Sequence, residues 1–340
     1  MNRKFDQFPW QSTGRLVAGA VAAAVTSGVF AQDITRVEYA QKDSPLTGPY
    51  DVVIEHDPGL ATHTIFRPAE LALDKHPVLV WGEGGCAKNG MTFPEFLSEV
   101  ASHGVVIIAD GPPLTTGPGP GAGGPAPGGA RAGGPRAGGP GAAPPGGPRA
   151  GGPGGGAPGG MGNMVNGEAL VAAIDWLEAE SGKRLSRFYN KVDVERVAAM
   201  GMSCGGLMSY GASNDPRVAT VGIWNSGLFP DDGNQKIYDG IHGSVIIMTG
   251  GESDIAYENG KRDFEVMPAS VPVFYGSYPS VGHGGTYSQD NGGAYGEAIV
   301  AWLKWQLMGD TSAAARGYFV GDDCLLCRDS NWVVDSRSLR

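Results

Sequence analysis

Positive charge is scarce in this sequence of 340 residues, which carries 25 Lys and Arg against 35 Asp and Glu and has a formal net charge of −10. A nucleic-acid-binding protein needs a basic surface, so the composition argues against a nucleic-acid partner. Cysteine is also scarce, and the four cysteines have spacings that match no zinc-finger, haem or iron–sulfur pattern. Beyond residue 31, no apolar run approaches the ~20 residues of a transmembrane helix. We therefore expect no transmembrane span.

The N-terminal segment has the features of an export signal. Three basic residues flank the start of an apolar, Ala-rich run over residues 16–30, and Ala31 ends the segment where signal peptidase cuts. The alternative is a membrane anchor, but a run of 15 residues is shorter than the ~20 needed to span a bilayer. The pattern predicts a signal peptide over residues 1–31 and a secreted or periplasmic protein, in which cysteines are expected to form disulfides.

Glycine and proline are concentrated in one block. From residue 117 to residue 160 the chain contains only Gly, Pro, Ala and Arg, and the glycines keep no three-residue period, which excludes a collagen helix. Side chains of this kind bury too little apolar surface to offset the entropy lost on folding. The composition predicts a disordered insert over residues 117–160 within an otherwise globular chain.

Short apolar runs alternate with amphipathic ones through the rest of the chain, which is typical of an α/β fold. We expect strands over residues 77–81, 105–109, 194–200, 218–224, 244–249 and 271–278, and helices over 92–103, 166–180, 203–212 and 293–308. This alternation predicts a doubly wound, mostly parallel sheet flanked by helices. Residues 32–116 and 161–309 would form this single domain, and residues 310–340 a C-terminal extension that contains a Cys-x-x-Cys pair.

A G-x-S-x-G motif occupies residues 201–205. By itself the motif is weak, because a glycine-rich chain contains it by chance and an ordinary strand-to-helix turn can carry a solvated serine. Here an apolar strand leads into the motif and a helical pattern follows it, which is the context of a nucleophile elbow. Such a turn exposes the serine hydroxyl at the edge of the sheet, so Ser203 is the expected nucleophile.

A serine hydroxyl needs a base to remove its proton and a carboxylate to orient that base. Asp254 and His283 follow successive predicted strands after the serine, in the order Ser, acid, His. Of the six histidines, only His283 lies in a Gly-flanked loop after the acid, although it could also be an ordinary structural histidine. Glu252 is the rival acid, and Asp231 and Asp232 are weaker candidates because they follow the preceding strand.

A tetrahedral intermediate also needs hydrogen-bond donors for its oxyanion. One is expected to be the backbone N–H of Cys204, and the other to come from the loop after residues 77–81, from Glu83 or, second, from Gly84. The same glycine-rich loop also fits the start of a dinucleotide-binding motif. That motif requires a helix that opens on the glycines, whereas residues 88–91 separate this loop from the predicted helix.

These features together resemble an α/β-hydrolase-fold serine hydrolase, and they are most similar to secreted dienelactone-hydrolase-like and polyester-hydrolase-like (cutinase-type) esterases. The likeness rests on the elbow at residues 201–206, Asp254, His283 and the Trp-Gly-Glu-Gly-Gly loop at residues 81–85. The resemblance implies an acyl-enzyme on Ser203, with His283 as general base and then acid and Asp254 as its orienter. It also implies a small-molecule or polymeric ester as substrate and no metal or cofactor.

Two other functions remain open, a serine peptidase on the same fold and a non-catalytic binding protein that keeps the fold. An intact set of Ser, Asp and His in the expected order favours an enzyme over a binding protein. Three aromatic residues follow strands or site residues, and each could line a substrate pocket or belong to the core: Trp224, Tyr257 and Tyr287.

In an exported protein the four cysteines are expected to form two disulfides. Cys204 follows the nucleophile directly, and Cys86 ends the loop that supplies the other oxyanion donor. Those two segments must approach each other to build one oxyanion hole, so they predict a Cys86–Cys204 bridge and leave Cys324 and Cys327 to pair locally. The alternative is that Cys204 is a buried free thiol under the elbow.

Overall fold

The computed structural model describes residues 33–40, 44–71, 75–114 and 164–339. The predicted signal peptide over residues 1–31 and the predicted insert over residues 117–160 lie outside these described residues. Within the described ranges, no helix is both long and apolar enough to cross a membrane.

One sheet runs through the described part of the chain. Its ten strands are β1 (Thr35–Arg36), β2 (Val52–His56), β3 (His63–Pro68), β4 (His76–Gly82), β5 (Val106–Asp110), β6 (Val192–Met202), β7 (Val218–Trp224), β8 (Ser244–Thr249), β9 (Val273–Ser277) and β10 (Val333–Arg337). Their spatial order is β1-β2-β3-β5-β4-β6-β7-β8-β9-β10. Strands β4 to β9 pair in parallel, whereas β1, β2, β3 and β10 pair antiparallel at the two flanks.

Helices cover both faces of this sheet. They are α1 (Pro94–Ser102), α2 (Glu168–Ser181), α3 (Cys204–Ala212), α4 (Asn234–Asp239), α5 (Tyr257–Val266), α6 (Gly293–Gln306) and α7 (Leu325–Arg328). Helices α1 and α6 belong to one hydrophobic core, and α2 and α3 to another. Alternate residues of β4 enter the two cores, Val78 and Val80 the second, Leu79 and Trp81 the first, because successive strand side chains point to opposite faces. The predicted mostly parallel sheet flanked by helices is confirmed.

The parallel strands and the helices expected from the sequence all occur, and their bounds differ from the expected ones by at most two residues. Strands that are covered on both faces read as nearly continuous apolar runs. Such runs are easy to recognise in a sequence. Ser203 follows β6 directly, and Asp254 and His283 lie in the loops that follow β8 and β9.

The sequence does not predict β2 and β3, because charged residues interrupt their apolar pattern. Two of these charges are buried as a pair. The Arg67 guanidinium donates to the Glu55 carboxylate at 3.0 Å through Nε and at 2.5 Å through Nη2, and Arg187 approaches the same carboxylate at 3.1 Å. A buried charge is tolerated where a hydrogen-bonded partner compensates it, so these strands can belong to the sheet despite their polar composition.

The C-terminal extension also contributes to the sheet. Its strand β10 pairs antiparallel with β9, from Val333 opposite Ser277 to Arg337 opposite Val273. Upstream of this strand, Phe319, Leu326 and Trp332 are buried in the same core as α1 and α6. The sequence gives this region little periodicity, and its fold is set by contacts with distant parts of the chain.

A buried carboxylate links three helices below the sheet. Asp263 of α5 accepts hydrogen bonds from the Tyr210 hydroxyl at 2.9 Å, the Tyr238 hydroxyl at 2.8 Å and the Leu228 N–H at 2.8 Å. Burial raises the pKa of Asp263 to about 6, and it outweighs these hydrogen bonds and the nearby Arg262, which act in the opposite direction. The folded protein therefore holds a proton here in mildly acidic solution.

Replacing Asp263 should change how stability depends on pH. An unfolded Asp has a pKa of about 3.9, so between about pH 4 and 6 the folded state binds more protons at this site and loses stability as pH rises. Asp263→Asn removes that loss. Across this window, the unfolding free energy of the variant minus that of the parent should rise by about 3 kcal/mol. Urea unfolding at a series of pH values measures it.

The matched control is Glu265→Gln, which changes an exposed acid on the same helix. Its difference from the parent should stay constant over the window. If the unfolding free energies of Asp263→Asn and the parent depend on pH in the same way, the raised pKa of Asp263 is contradicted.

Candidate active site

Ser203 lies on a sharp turn between β6 and α3. Its backbone has φ 55° and ψ −116°, a sparsely populated conformation that costs about 1–3 kcal/mol. The turn is held by the residues that end β7: the Ser203 N–H donates to the Trp224 carbonyl at 2.8 Å, and the Ser203 carbonyl accepts from the Ser226 hydroxyl at 2.6 Å. The expected strand–turn–helix is present, and the serine is partly exposed.

Two glycines of the motif are required by close packing of backbones. A Cβ at Gly205 would collide with the Gly82 carbonyl at the end of β4, and a Cβ at Gly201 would collide with the backbone of Gly205. Without these side chains, the first turn of α3 approaches the end of β4 closely. The elbow is thereby brought beside the loop that follows β4.

His283 lies in a short 3₁₀ turn, Gly282–Gly284, that follows β9. Its Nε2 is 3.0 Å from Ser203 Oγ, and its Nδ1 is 2.6 Å from Asp254 Oδ1. Because a carboxylate only accepts hydrogen bonds, Nδ1 carries the proton and donates to Asp254, and Nε2 accepts from the serine hydroxyl. The imidazole side chain is 26% exposed, so solvent and small molecules can reach the serine end of this array.

Asp254 follows β8 and is 3% exposed. Its Oδ1 accepts from His283 and from the Ala256 N–H at 2.9 Å, and its Oδ2 accepts from the Gly250 N–H at 2.9 Å and from Asn225 Nδ2 at 2.8 Å. Burial alone would raise the pKa of this carboxyl, but the four hydrogen bonds outweigh burial and hold the pKa below its ordinary value. The carboxylate therefore stays ionised beside the imidazole.

Asp254 is paired with the histidine, and its rivals are not. Glu252 is exposed two residues earlier in the chain, and Asp231 and Asp232 are exposed in the loop before α4. Among the described residues, the carboxylate that contacts His283 belongs to Asp254. The structure thus brings together Ser203, His283 and Asp254.

Cys204 and Glu83 present backbone N–H groups beside the elbow. Cys204 is the first residue of α3, where helical N–H groups have no partner within the helix. The Glu83 nitrogen lies 2.8 Å from the position of a Cβ built on Gly205. Neither N–H donates to a backbone carbonyl of the described residues. Gly84 starts a 3₁₀ turn one residue further on, so the geometry favours Cys204 and Glu83 as the pair of donors.

Both expected disulfides are present. Cys86–Cys204 joins the loop after β4 to the first residue of α3, with 5.2 Å between the Cα atoms. Cys324–Cys327 closes locally at the start of α7, with 5.0 Å between the Cα atoms. The first bridge ties together the two segments that carry the candidate oxyanion donors, so Cys204 is not a free thiol.

The side chain of Glu83 is buried beside the elbow, which the sequence did not predict. It is fully buried, and neither carboxyl oxygen receives a hydrogen bond of good geometry within the described residues. Burial raises the pKa of Glu83 well above its usual range and outweighs Trp81 and Thr92, which lie close and act in the opposite direction. The carboxyl is therefore neutral. No local pattern distinguishes such a buried acid from a solvated one in a glycine-rich loop.

Two of the three aromatic candidates belong to the core. Trp224 and Tyr287 are both 0% exposed, so neither lines an open pocket. The Tyr287 hydroxyl instead donates to Asn225 Oδ1 at 2.6 Å. Asn225 and Ser226 were missed by sequence reasoning, although their position directly after a predicted strand is a signal that could have found them. Tyr257, the third aromatic, is partly exposed at the start of α5.

The described residues offer no group of three or more His, Cys, Asp or Glu side chains arranged for a metal ion. The glycine-rich loop after β4 leads into a 3₁₀ turn, Gly84–Cys86, and α1 begins only at Pro94. No helix N-terminus therefore opens on these glycines, as a dinucleotide-binding motif requires.

The two disulfides should differ in their effect on stability. Cys86 and Cys204 are separated by 118 residues, and Cys324 and Cys327 by 3. In the chain-entropy model, removing the long-range bridge costs about 4–5 kcal/mol, and removing the local one costs about 2 kcal/mol. Urea unfolding of Cys86→Ser/Cys204→Ser should therefore show the larger loss, with Cys324→Ser/Cys327→Ser as the matched control. Equal losses, or the reverse order, would contradict this assignment.

No protein-family model matches this chain, and no curated protein sequence matches it. The function must therefore be argued from the chemistry of the site.

Proposed function

We propose that this chain is an α/β-hydrolase-fold serine hydrolase that cleaves carboxylic esters through an acyl-enzyme on Ser203. The observation that carries the proposal is the continuous array from Ser203 Oγ through the His283 imidazole to Asp254, with contacts of 3.0 Å and 2.6 Å. A histidine in this geometry can take the proton of the serine hydroxyl, and the buried carboxylate stabilises the imidazolium that forms.

The order of the elements supports the same fold assignment. The nucleophile follows β6 near the middle of the sheet, the acid follows β8 and the histidine follows β9. The chain order Ser, Asp, His is that of α/β-hydrolases and differs from the orders in the chymotrypsin and subtilisin folds. The glycine-rich loop and the elbow resemble those of secreted dienelactone-hydrolase-like and polyester-hydrolase-like (cutinase-type) esterases, and this resemblance supports an ester as the substrate.

In the acylation step, His283 Nε2 takes the proton of Ser203 as Oγ forms a bond to the ester carbonyl carbon. The carbonyl oxygen becomes an oxyanion, which the N–H groups of Cys204 and Glu83 stabilise. The protonated imidazole is stabilised by the ionised Asp254, which itself takes no proton. The bond to the alcohol oxygen then breaks, and the imidazolium returns its proton to the leaving alcohol.

In the deacylation step, a water molecule replaces the alcohol. His283 takes a proton from this water as its oxygen adds to the acyl carbon. The second tetrahedral intermediate uses the same oxyanion donors. The bond between Ser203 Oγ and the acyl carbon breaks, the imidazolium protonates Oγ, and the carboxylic acid leaves. The cycle requires no metal or cofactor, because each proton moves between the imidazole and an oxygen atom.

The oxidised cysteines support an exported enzyme. Disulfides persist in secreted and periplasmic proteins and are rare in the cytosol, and all four cysteines of the chain are paired. Together with the predicted signal peptide, they support a secreted or periplasmic location. A partly exposed serine and imidazole would be open there to a small-molecule or polymeric ester.

Removing the nucleophile or the base should abolish hydrolysis. Ser203→Ala and His283→Ala should each lower kcat/KM on a panel of p-nitrophenyl esters by at least about 10³-fold, because members of such a set act as a unit. A fluorophosphonate probe should label the parent protein and leave Ser203→Ala unlabelled. Near-normal ester turnover in Ser203→Ala would refute the mechanism, and turnover of peptide anilides without turnover of esters would refute the substrate class.

The identity of the acid can be tested separately. Asp254→Asn should lower kcat by about 10³–10⁴-fold, because an amide no longer holds the imidazole in the required tautomer. Glu252→Gln is the matched control, since Glu252 lies in the same loop, is exposed, and should retain parental kcat. The reverse ranking would assign the role to Glu252.

A further inference from the structure

Asn225 is a fully buried polar residue that the proposed mechanism does not use. It follows β7 directly, between Trp224 and Ser226. Its Nδ2 donates to Asp254 Oδ2 at 2.8 Å and to the Gly282 carbonyl at 3.1 Å. Gly282 precedes His283 in the chain. One amide group therefore contacts both the acid and the backbone that carries the base.

The amide is held in this orientation by its remaining contacts. Its Oδ1 accepts from the Tyr287 hydroxyl at 2.6 Å, its Nδ2 lies 3.4 Å from the Tyr295 hydroxyl, and its backbone N–H donates to the Met248 carbonyl at 2.6 Å. The Asp254 carboxylate and the Gly282 carbonyl can only accept, so they require the NH₂ end of the amide, and the oxygen end faces the Tyr287 hydroxyl. The backbone has φ 44°, a left-handed value that asparagine tolerates better than most side chains.

An ordinary core asparagine would show the same burial but no such selection of partners. Here Nδ2 donates both to the acid and to the backbone next to the base, and both contacts lie between segments distant in sequence. Without Asn225, Asp254 Oδ2 would retain one donor, the Gly250 N–H. The carboxylate could then rotate, and the Gly282 carbonyl would lose its tie to the acid.

The two tyrosines that contact Asn225 stay neutral in the working range of pH. Burial raises the pKa of Tyr287 well above its ordinary value, with Tyr295 and Asp254 acting in the same direction. Burial likewise raises the pKa of Tyr295. The charged groups that face the amide are therefore Asp254 and, when protonated, His283. A change of charge at position 225 should therefore change the protonation equilibrium of the Asp254–His283 pair.

We infer that Asn225 is a positioning residue that fixes the distance and the relative orientation of Asp254 and His283. The expected loss of kcat rests on the proposed function, whereas the expected effect on the titration of His283 does not. Asn225 contacts neither the nucleophile nor the reacting atoms, so it acts through the acid and the base.

Two substitutions separate its roles. Asn225→Asp keeps the shape and the oxygen that accepts from Tyr287, but it replaces the donor by a second carboxylate oxygen facing Asp254. Asn225→Gly removes the whole side chain and suits the positive φ. The matched controls are Asn190→Asp and Asn190→Gly, because Asn190 also has a left-handed backbone, with φ 54°, but is exposed before the opposite end of β6.

Both Asn225 variants should lower kcat by about 10²-fold, since a small misplacement of catalytic groups has an effect of this size. KM should be unchanged, because the residue does not contact substrate. In Asn225→Asp the extra negative charge favours the imidazolium, so the acid limb of the pH–rate profile should move up by on the order of one pH unit. The Asn190 variants should show parental kcat and the parental profile.

An NMR titration of the imidazole supplies a readout that needs no turnover. The His283 resonances are assigned by their loss in His283→Gln, and their titration midpoint should move to higher pH in Asn225→Asp. An unmoved midpoint, with kcat equal to that of the parent, would overturn the inference, as would a loss of activity that is uniform over pH and follows the loss of folded protein. If no ester is hydrolysed by the parent, the proposed function fails while the NMR midpoint still decides the role of Asn225.

Discussion

Asp254 carries a negative charge where water reaches only 3% of the residue, and a charge removed from water is stable only where hydrogen bonds replace that water. The four donors to this carboxylate come from three segments: Gly250 and Ala256 from the loop between β8 and α5 that carries Asp254 itself, Asn225 after β7 and His283 after β9. These segments must converge for the charge to be buried at all. The contact with His283 on which the proposed mechanism depends is one of the same four hydrogen bonds.

The last residue of β7 and the two residues after it also contact Ser203, the proposed nucleophile, or the loop of His283. The Trp224 carbonyl and the Ser226 hydroxyl hold the backbone of Ser203 on both sides, and Asn225, between them, holds the acid and the loop of the base. Three consecutive residues thus contact Ser203, Asp254 and Gly282, the residue that precedes His283. This explains how a strained serine backbone can persist, because the surrounding hydrogen bonds leave it no alternative arrangement.

Sequence reasoning found Ser203, Asp254 and His283 because each follows an apolar strand, and the ends of parallel strands meet at one edge of the sheet. It also found the Cys86–Cys204 bridge, because two loops that build one oxyanion hole must touch. The position of Asn225 directly after a strand could have marked it, but its partners, like the burial of the Glu83 side chain, depend on segments far apart in the chain and leave no local pattern. Strands β2 and β3 were not predicted for a related reason. Glu55 and Arg67 are charged residues typical of an exposed segment, and only the fold pairs them and buries them together.

Two buried acids at the same edge of the sheet have pKa values shifted in opposite directions, and the difference follows from their donors. Asp254 has four, and its pKa is lowered despite burial. Glu83 receives no hydrogen bond of good geometry within the described residues, and burial raises its pKa well above the usual range. A negative charge on Glu83 would repel an oxyanion bound at its own backbone N–H. Burial favours the neutral form of Glu83, whereas the ionised Asp254 lies behind the histidine, where in the proposed mechanism it stabilises the imidazolium.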